Sequence, residues 1–268
     1  MPIEVTFVGT ATTLIRRGGI TVVTAPNFLH QGQRAYLGYG LWSKRRHPPA
    51  LTPEQLPPID AVVLSHLHGD HWDRVGERSL DRTIPVITTQ HAAKRLRRRG
   101  FEAAVGLNTW DSHTLHKGRD RVTVSALPGR HAPIPVNHLL PPVMGSMLEF
   151  TSAGEPTPQR LYISGDTLLI DELAEIPVRF TSIDVGVLHL GGTRLPFGDR
   201  LPVGLTVTMD GKHGAEAAAR LELPRVIPVH FDDYRVFASP LADFHREMSA
   251  RGLADRIVTI ERGQSVSV

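Results

Sequence analysis

The chain has 268 residues, 41% of them hydrophobic and 21% charged, with no cysteine. That length can bury a substantial core and fits one α/β domain over residues 1–268, while the absence of cysteine excludes disulfides and thiolate ligands and leaves nitrogen and oxygen donors for any metal. Thirty basic against 27 acidic residues give a net charge of only +3. No run reaches the ~18 apolar residues of a membrane span, so no transmembrane segment is expected. The Met1-Pro2-Ile3 start lacks a basic leader, and a cytoplasmic protein is expected if the chain is complete.

In chain order, residues 3–8, 11–16 and 20–24 alternate or run apolar. Turns at Gly9-Thr10 and Gly18-Gly19 separate them, which predicts a β-meander. Residues 28–58 are rich in Gly, Pro, aromatic and basic residues without a sustained period. They read as a long loop, and such loops are commonly functional; Phe28, His30, Tyr36, Tyr39 and Trp42 are candidates to line a pocket. The basic clusters Lys44-Arg45-Arg46 and Lys94 to Arg99 read as solvated faces.

Asp60 to Leu64 is a short buried strand, and Ser65-His66-Leu67-His68-Gly69-Asp70-His71-Trp72-Asp73 follows it. Three imidazoles and two carboxylates within nine residues are costly to hold together unless a cation or proton network satisfies them. In extended chain, side chains at i and i+2 point the same way, so His66 and His68 can grip one ion from one side. Gly69 relaxes the turn that follows. Asp70 and His71 then diverge toward a second ion.

Past this motif the pattern predicts a helix beginning at Trp72 with Asp73 as its cap, and a strand over 84–88. A basic helix over 91–99 follows, stopped by Gly100. Strands are expected near 104–107, 113–115, 122–127 and 146–150, with His131 past the end of one of them. Residues 161–164 form a strand that delivers Asp166, and 168–176 carry a helical apolar pattern. Residues 183–190 read as a buried strand ending in Gly191-Gly192-Thr193, a turn or an anion-binding backbone. Helices over 211–221 and 241–251, and strands over 226–229, 257–260 and 265–268, complete the chain. Two mixed β-sheets packed face to face, with helices outside, is the architecture these runs predict. His138, His189 and His213 are candidates to touch substrate or support a ligand, as is Tyr234 close after His230.

The chain resembles the metallo-β-lactamase-fold hydrolases, whose His-x-His-x-Asp-His signature is met by His66, His68, Asp70 and His71. Later motifs of that family follow in order: His131 after Pro128-Gly129-Arg130, Asp166 after Ser164-Gly165, and His230 after Pro228-Val229. The resemblance implies a four-layer αββα sandwich. It also implies two divalent ions, with His66, His68 and His131 on one, Asp70, His71 and His230 on the other, and Asp166 bridging. Zinc suits these donors, as do manganese and iron. Thr208 to Lys212, followed by a helical stretch and His230, is similar to the branch of L-ascorbate phosphate lactonase and N-acyl phosphatidylethanolamine phospholipase D. That branch implies a small or lipid-like ester as substrate. Ala25 departs from the family, which has Asp before the proline, and an outer group lost there puts full activity in doubt.

No cysteine and no Gly-x-Ser-x-Gly elbow supplies a nucleophile. Hydrolysis by water at the dinuclear centre is therefore the expected reaction, with Asp70 and His71 as catalytic candidates and Asp70 managing the proton. The alternatives are a nuclease tracking phosphates with its basic clusters, for which the chain lacks the usual added domain, and a non-catalytic ligand-binding member. The sequence does not fix the oligomeric state.

Overall fold

The computed structural model of the chain describes residues 1–195 and 204–268. The opening meander is β1 (Glu4–Gly9), β2 (Thr12–Arg17) and β3 (Ile20–Thr24). Within the stretch read as a loop lies a small hairpin, β4 (Arg34–Tyr36) with β5 (Trp42–Lys44). The first half continues through β6 (Ala61–Val63), α1 (Arg74–Ser79), β7 (Val86–Thr89), α2 (Gln90–Arg97) and β8 (Val105–Leu107). Next come β9 (Ser112–Lys117), β10 (Asp120–Leu127), β11 (Gly145–Ser152) and β12 (Gln159–Ile163). After α3 (Glu175–Arg179) and β13 (Val185–His189), the short pair β14 (Arg194–Leu195) and β15 (Leu205–Thr206) precedes α4 (Gly211–Arg220). The chain closes with β16 (Val226–Val229), α5 (Leu241–Ala250) and β17 (Ser265–Ser267).

Two mixed sheets result. One runs β17-β1-β2-β3-β6-β7-β8, and the other β16-β13-β12-β11-β10-β9. Strand parity sets the layers, because alternate residues face opposite sides. Ala61 and Val63 enter the core between the sheets, while Val62 and Leu64 face outward onto Trp72, Ala93 and Leu96. In the second sheet Leu161, Ile163, Val185 and Val187 point inward, while Tyr162 and Leu188 pack outward beside Ala215, Ala218 and Phe244 of α4 and α5. Each sheet is thus covered on both faces, and the result is a four-layer αββα sandwich.

Direction places the strand ends. β3, β6 and β7 are parallel, and β1 reaches the same sense through two antiparallel steps. In the partner sheet β12, β13 and β16 are parallel, and β10 shares their sense through β11. Carboxyl ends therefore gather on one rim of each sheet, where open α/β sheets collect their chemistry.

Two expected elements form differently. Residues 168–176 are not one helix: a 3₁₀ turn at Asp171–Ala174 leads into α3, which begins at Glu175. α3 carries Pro177 in its first turn, the part of a helix where proline is tolerated. Residues 257–260 make only a single bridge, Ile257 to Val226, rather than a strand.

Candidate metal centre

Three histidines meet at the rim below β6 and β10. His66 and His68 lie two apart in extended chain, and His66 Nε2 is 2.9 Å from His68 Nδ1. His131 Nε2 reaches the same His68 nitrogen at 3.2 Å. Behind them, Ser65 Oγ is 2.8 Å from His66 Nδ1, and His131 Nδ1 donates to the backbone carbonyl of Asp166 at 3.1 Å. A carbonyl only accepts, so His131 Nδ1 carries the hydrogen and its Nε2 presents a lone pair to the cluster.

A second group adjoins the first. Donor atoms of His71, Asp166, His189 and His230 all lie within 4.8 Å of one another. Asp166 is its hub, with Oδ2 3.1 Å from His71 Nε2 and Oδ1 2.9 Å from His189 Nδ1 and 3.6 Å from His230 Nδ1. Asp70 stands at the edge, its Oδ2 3.4 Å from His230 Nε2. The His66 and His71 rings are 4.4 Å apart, so the two groups share one wall. The seven side chains picked out by the motifs thus converge, and His189 joins them.

Burial sets the charge states. Desolvation, with the neighbouring imidazoles, holds His66 well below its ordinary value, and burial with His131 alongside takes His68 down to about 3. Burial likewise lowers His131 and brings His189 to about 4. Burial opposes ionisation of Asp166, but His230 and His71 outweigh it and keep this carboxyl well below the usual range. Asp70 is lowered in the same way, burial being overcome by His230 and His71. For His71 burial acts downward, yet Asp166 prevails and raises it. Neutral His66, His68, His131 and His189 beside two ionised carboxylates are protonation states that suit metal binding, while His71 would release its proton to a bound cation.

The same site concentrates unmet polar atoms. Of the fourteen buried side-chain polar atoms without a hydrogen-bond partner among the described residues, seven belong here: His68 Nε2, Asp70 Oδ1, both ring nitrogens of His71 and of His230, and His189 Nε2. Buried polar groups are normally paired. Cations with nitrogen and oxygen ligands would satisfy this set, so the donors fit the metals that the family resemblance implies.

Backbone contacts hold the loops in place. Gly69 lies against the β4–β5 hairpin, where a Cβ would come within 2.7 Å of Tyr36 N, and its own N–H donates to Tyr36 O at 2.8 Å. Gly165 has φ of +61°, and a Cβ there would lie 2.5 Å from Met144 O. Both turns need glycine on those grounds. His230 takes φ of +60° and donates its N–H to Thr10 O at 2.7 Å. Asp73 caps α1 through Val75 N and Gly76 N, while its other oxygen accepts from Asn27 Nδ2, Phe28 N and Leu29 N. Asn27 in turn accepts from the buried Arg45 Nη1 at 2.7 Å and from Tyr234 OH at 3.0 Å. Ala25 is buried at φ of +36°, a left-handed setting that Asp and Asn tolerate better than alanine.

A cavity of about 560 Å³ opens over His68. Tyr36, Tyr39 and His138 line it, as expected of a pocket wall, and so do His91, Arg95 and Arg99 from the basic helix read as a solvated face. Phe28 is buried, and Trp42 packs on Tyr36 at 4.9 Å between ring centroids. Tyr234 is wholly buried behind the site, with its hydroxyl on Asn27, and is not among the lining residues. His213 faces solvent on α4, paired with Asp210 at 2.9 Å. His189, a candidate to touch substrate or support a ligand, lies on Asp166, and its parity with Val185 and Val187 on β13 is the sequence signal that it turns inward. Nothing local marks Asn137, whose Oδ1 accepts from His131 N at 3.0 Å.

No helix among the described residues is long and apolar enough to cross a membrane. Residues 36–231 match the family described as the β-lactamase superfamily domain. A UPF0173 metal-dependent hydrolase of Deinococcus radiodurans is 30% identical over 211 residues, covering 74% of this chain and 76% of the relative. Among solved structures, the isothiocyanate hydrolase from Delia radicum gut bacteria superimposes with a TM-score of 0.78 at 20% identity, over 98% of each chain. A metallo hydrolase from Ignicoccus hospitalis gives a TM-score of 0.68 at 19% identity, over 100% of this chain and 99% of that one.

Proposed function

The chain belongs to the metallo-β-lactamase-fold superfamily of metal-dependent hydrolases, and from that premise we propose that it hydrolyses an ester-type bond at a centre of two divalent ions. The observation that carries this reading is the pair of convergent, buried donor groups, where seven side-chain atoms lack a hydrogen-bond partner among the described residues. His66, His68 and His131 would hold one ion. His71 and His230, with Asp70 at the edge, would hold the other, with Asp166 between them. When bound, such ions supply Lewis acidity and an acidified water. Zinc is the first choice for these donors, with manganese or iron as the others.

The chain's own residues do the rest. The Asp166 carbonyl fixes the His131 ring with its Nε2 lone pair inward, and Ser65 Oγ holds the His66 ring by its Nδ1. Asp70 Oδ1 is buried with no partner among the described residues, and it would be the atom that takes a proton from the attacking water. A lactone or phosphodiester is the preferred substrate, on the Thr208 to Lys212 resemblance alone. Ala25 supports a second reading, a member that binds without turnover, and Ala25→Asp with its turnover compared to the parent separates the two.

Metal analysis with chelation tests the main reading. The expected result is one to two divalent ions per chain, loss of ester hydrolysis on chelation and recovery on adding Zn²⁺. Undiminished turnover by metal-free protein would overturn it.

A further inference from the structure

We propose that the cavity over His68 selects a small-molecule substrate that carries an anionic group, held by Arg95 away from the scissile bond. This deepens the hydrolase reading and rests on it for the position of the reacting centre. The cavity has His68 of the candidate centre in its wall, and its lining includes Arg95 and Arg99 and no acidic residue. A site of that composition favours negative charge.

The arginines of this helix are not equivalent. Arg99 Nη1 is bound to Glu77 Oε2 at 3.0 Å, and Arg97 donates through Nε and Nη2 to the carbonyl of Ala104 at 3.0 and 2.8 Å. Arg95 has no carboxylate partner among the described residues. Helical spacing puts it on the same face as His91, four residues earlier. Partial burial, and then the charge of Arg95, lower the pKa of His91, which agrees with a guanidinium turned to that side. An exposed guanidinium with no carboxylate partner in the lining of a cavity suits a carboxylate or phosphate, which its fork can bind through two parallel hydrogen bonds.

Another stretch of the wall is apolar. Leu139, Leu140, Pro141 and Pro142 form it, and the Tyr39 hydroxyl donates to Leu139 O, tying the hairpin segment to this wall. A substrate with an anionic end toward Arg95 and an apolar portion against this wall would lay its central bond over His68. The volume admits a small molecule of that description.

Two measurements on metal-loaded protein at low ionic strength test this. In the first, 4-nitrophenyl butyrate is compared with 4-nitrophenyl hydrogen succinate, esters of similar length of which only the second carries a carboxylate. Wild type is expected to prefer the succinate. R95Q should lower kcat/KM for the succinate by about tenfold while moving the butyrate value less than about twofold, the scale of one charge-assisted hydrogen bond. K94Q, on the exposed side of the helix, should change neither. In the second, phenylphosphonate is titrated by calorimetry, and R95Q should raise its Kd by about tenfold, K94Q leaving it unchanged. Equal effects of R95Q on both esters together with an unchanged phosphonate Kd overturn the proposal, as does weakening of phosphonate binding by K94Q to the same degree. If esters are cleaved without dependence on Arg95, the anion site falls and the hydrolase stands. If no ester is cleaved but phosphonate binding depends on Arg95, the hydrolase reading falls and the anion site stands.

Discussion

Replacing His189 by alanine removes a ring that is 2% exposed and whose Nδ1 lies 2.9 Å from Asp166 Oδ1. Asp166 is the hub of the second donor group, and partners that orient a ligand change metal affinity by roughly 10–100-fold. That range corresponds to about 1.4–2.7 kcal/mol. With metal in excess, stabilisation by binding falls by the same amount, because it follows RT ln(1 + [L]/Kd). At ~2–4 °C per kcal/mol for a chain of this size, the Tm gap between metal-loaded and metal-free protein should narrow by roughly 3–10 °C. Thermal melts with and without chelator, paired with calorimetric titration of Zn²⁺, measure it. His189→Asn, which keeps a nitrogen near the Nδ1 position, should recover part of the gap. If His189 merely fills space, both forms lose stability equally. An unchanged gap with an unchanged Zn²⁺ affinity would refute the reasoning.

Two further perturbations test the supporting structure. Gly165→Ala forces a Cβ to within 2.5 Å of Met144 O and 2.9 Å of Ser65 Cβ at a φ of +61°; the expected loss is about 2–4 kcal/mol in urea unfolding, with reduced metal content, and an unchanged midpoint counts against the packing described. His213→Gln tests the pair His213 Nδ1 to Asp210 Oδ1 on α4. The hydrogen bond to Asp210 raises His213 above 6.5, so its contribution is whole below pH 6.5 and lost as pH rises through the folded value. The same bond lowers Asp210 below 3.8, so that contribution is whole above pH 3.8 and lost as pH falls through the folded value. The pair therefore stabilises most between pH 3.8 and 6.5, and being about half exposed it contributes under about 1 kcal/mol. The variant should melt about 1–2 °C lower than wild type at pH 5 and match it at pH 9; a difference that persists at pH 9 would show that the effect is not this ion pair.

Much of the centre is legible locally. His66 and His68 point together because residues two apart in extended chain must, and His131, Asp166 and His230 each follow a strand-like apolar run whose carboxyl end the parallel pairing brings to one rim. The layers follow from the same parity, as Val62 and Val63 show by facing opposite cores. Proline chemistry was also in the sequence: Pro177 fits a helix only in its first turn, which is where α3 carries it.

What the sequence by itself determined, then, is the order of strands and the residues placed at their ends, because both depend on dihedral preference and period-two alternation over a few residues. Only the tertiary structure decided what surrounds them. It put His189 on Asp166, set Arg95 in the lining of the cavity, and sealed Tyr234 behind Asn27. Those outcomes depend on where segments distant in the chain come to rest against one another, and contacts between the loop at 28–47, the helix at 90–97 and the turn at 136–142 leave no periodic trace in any one of them.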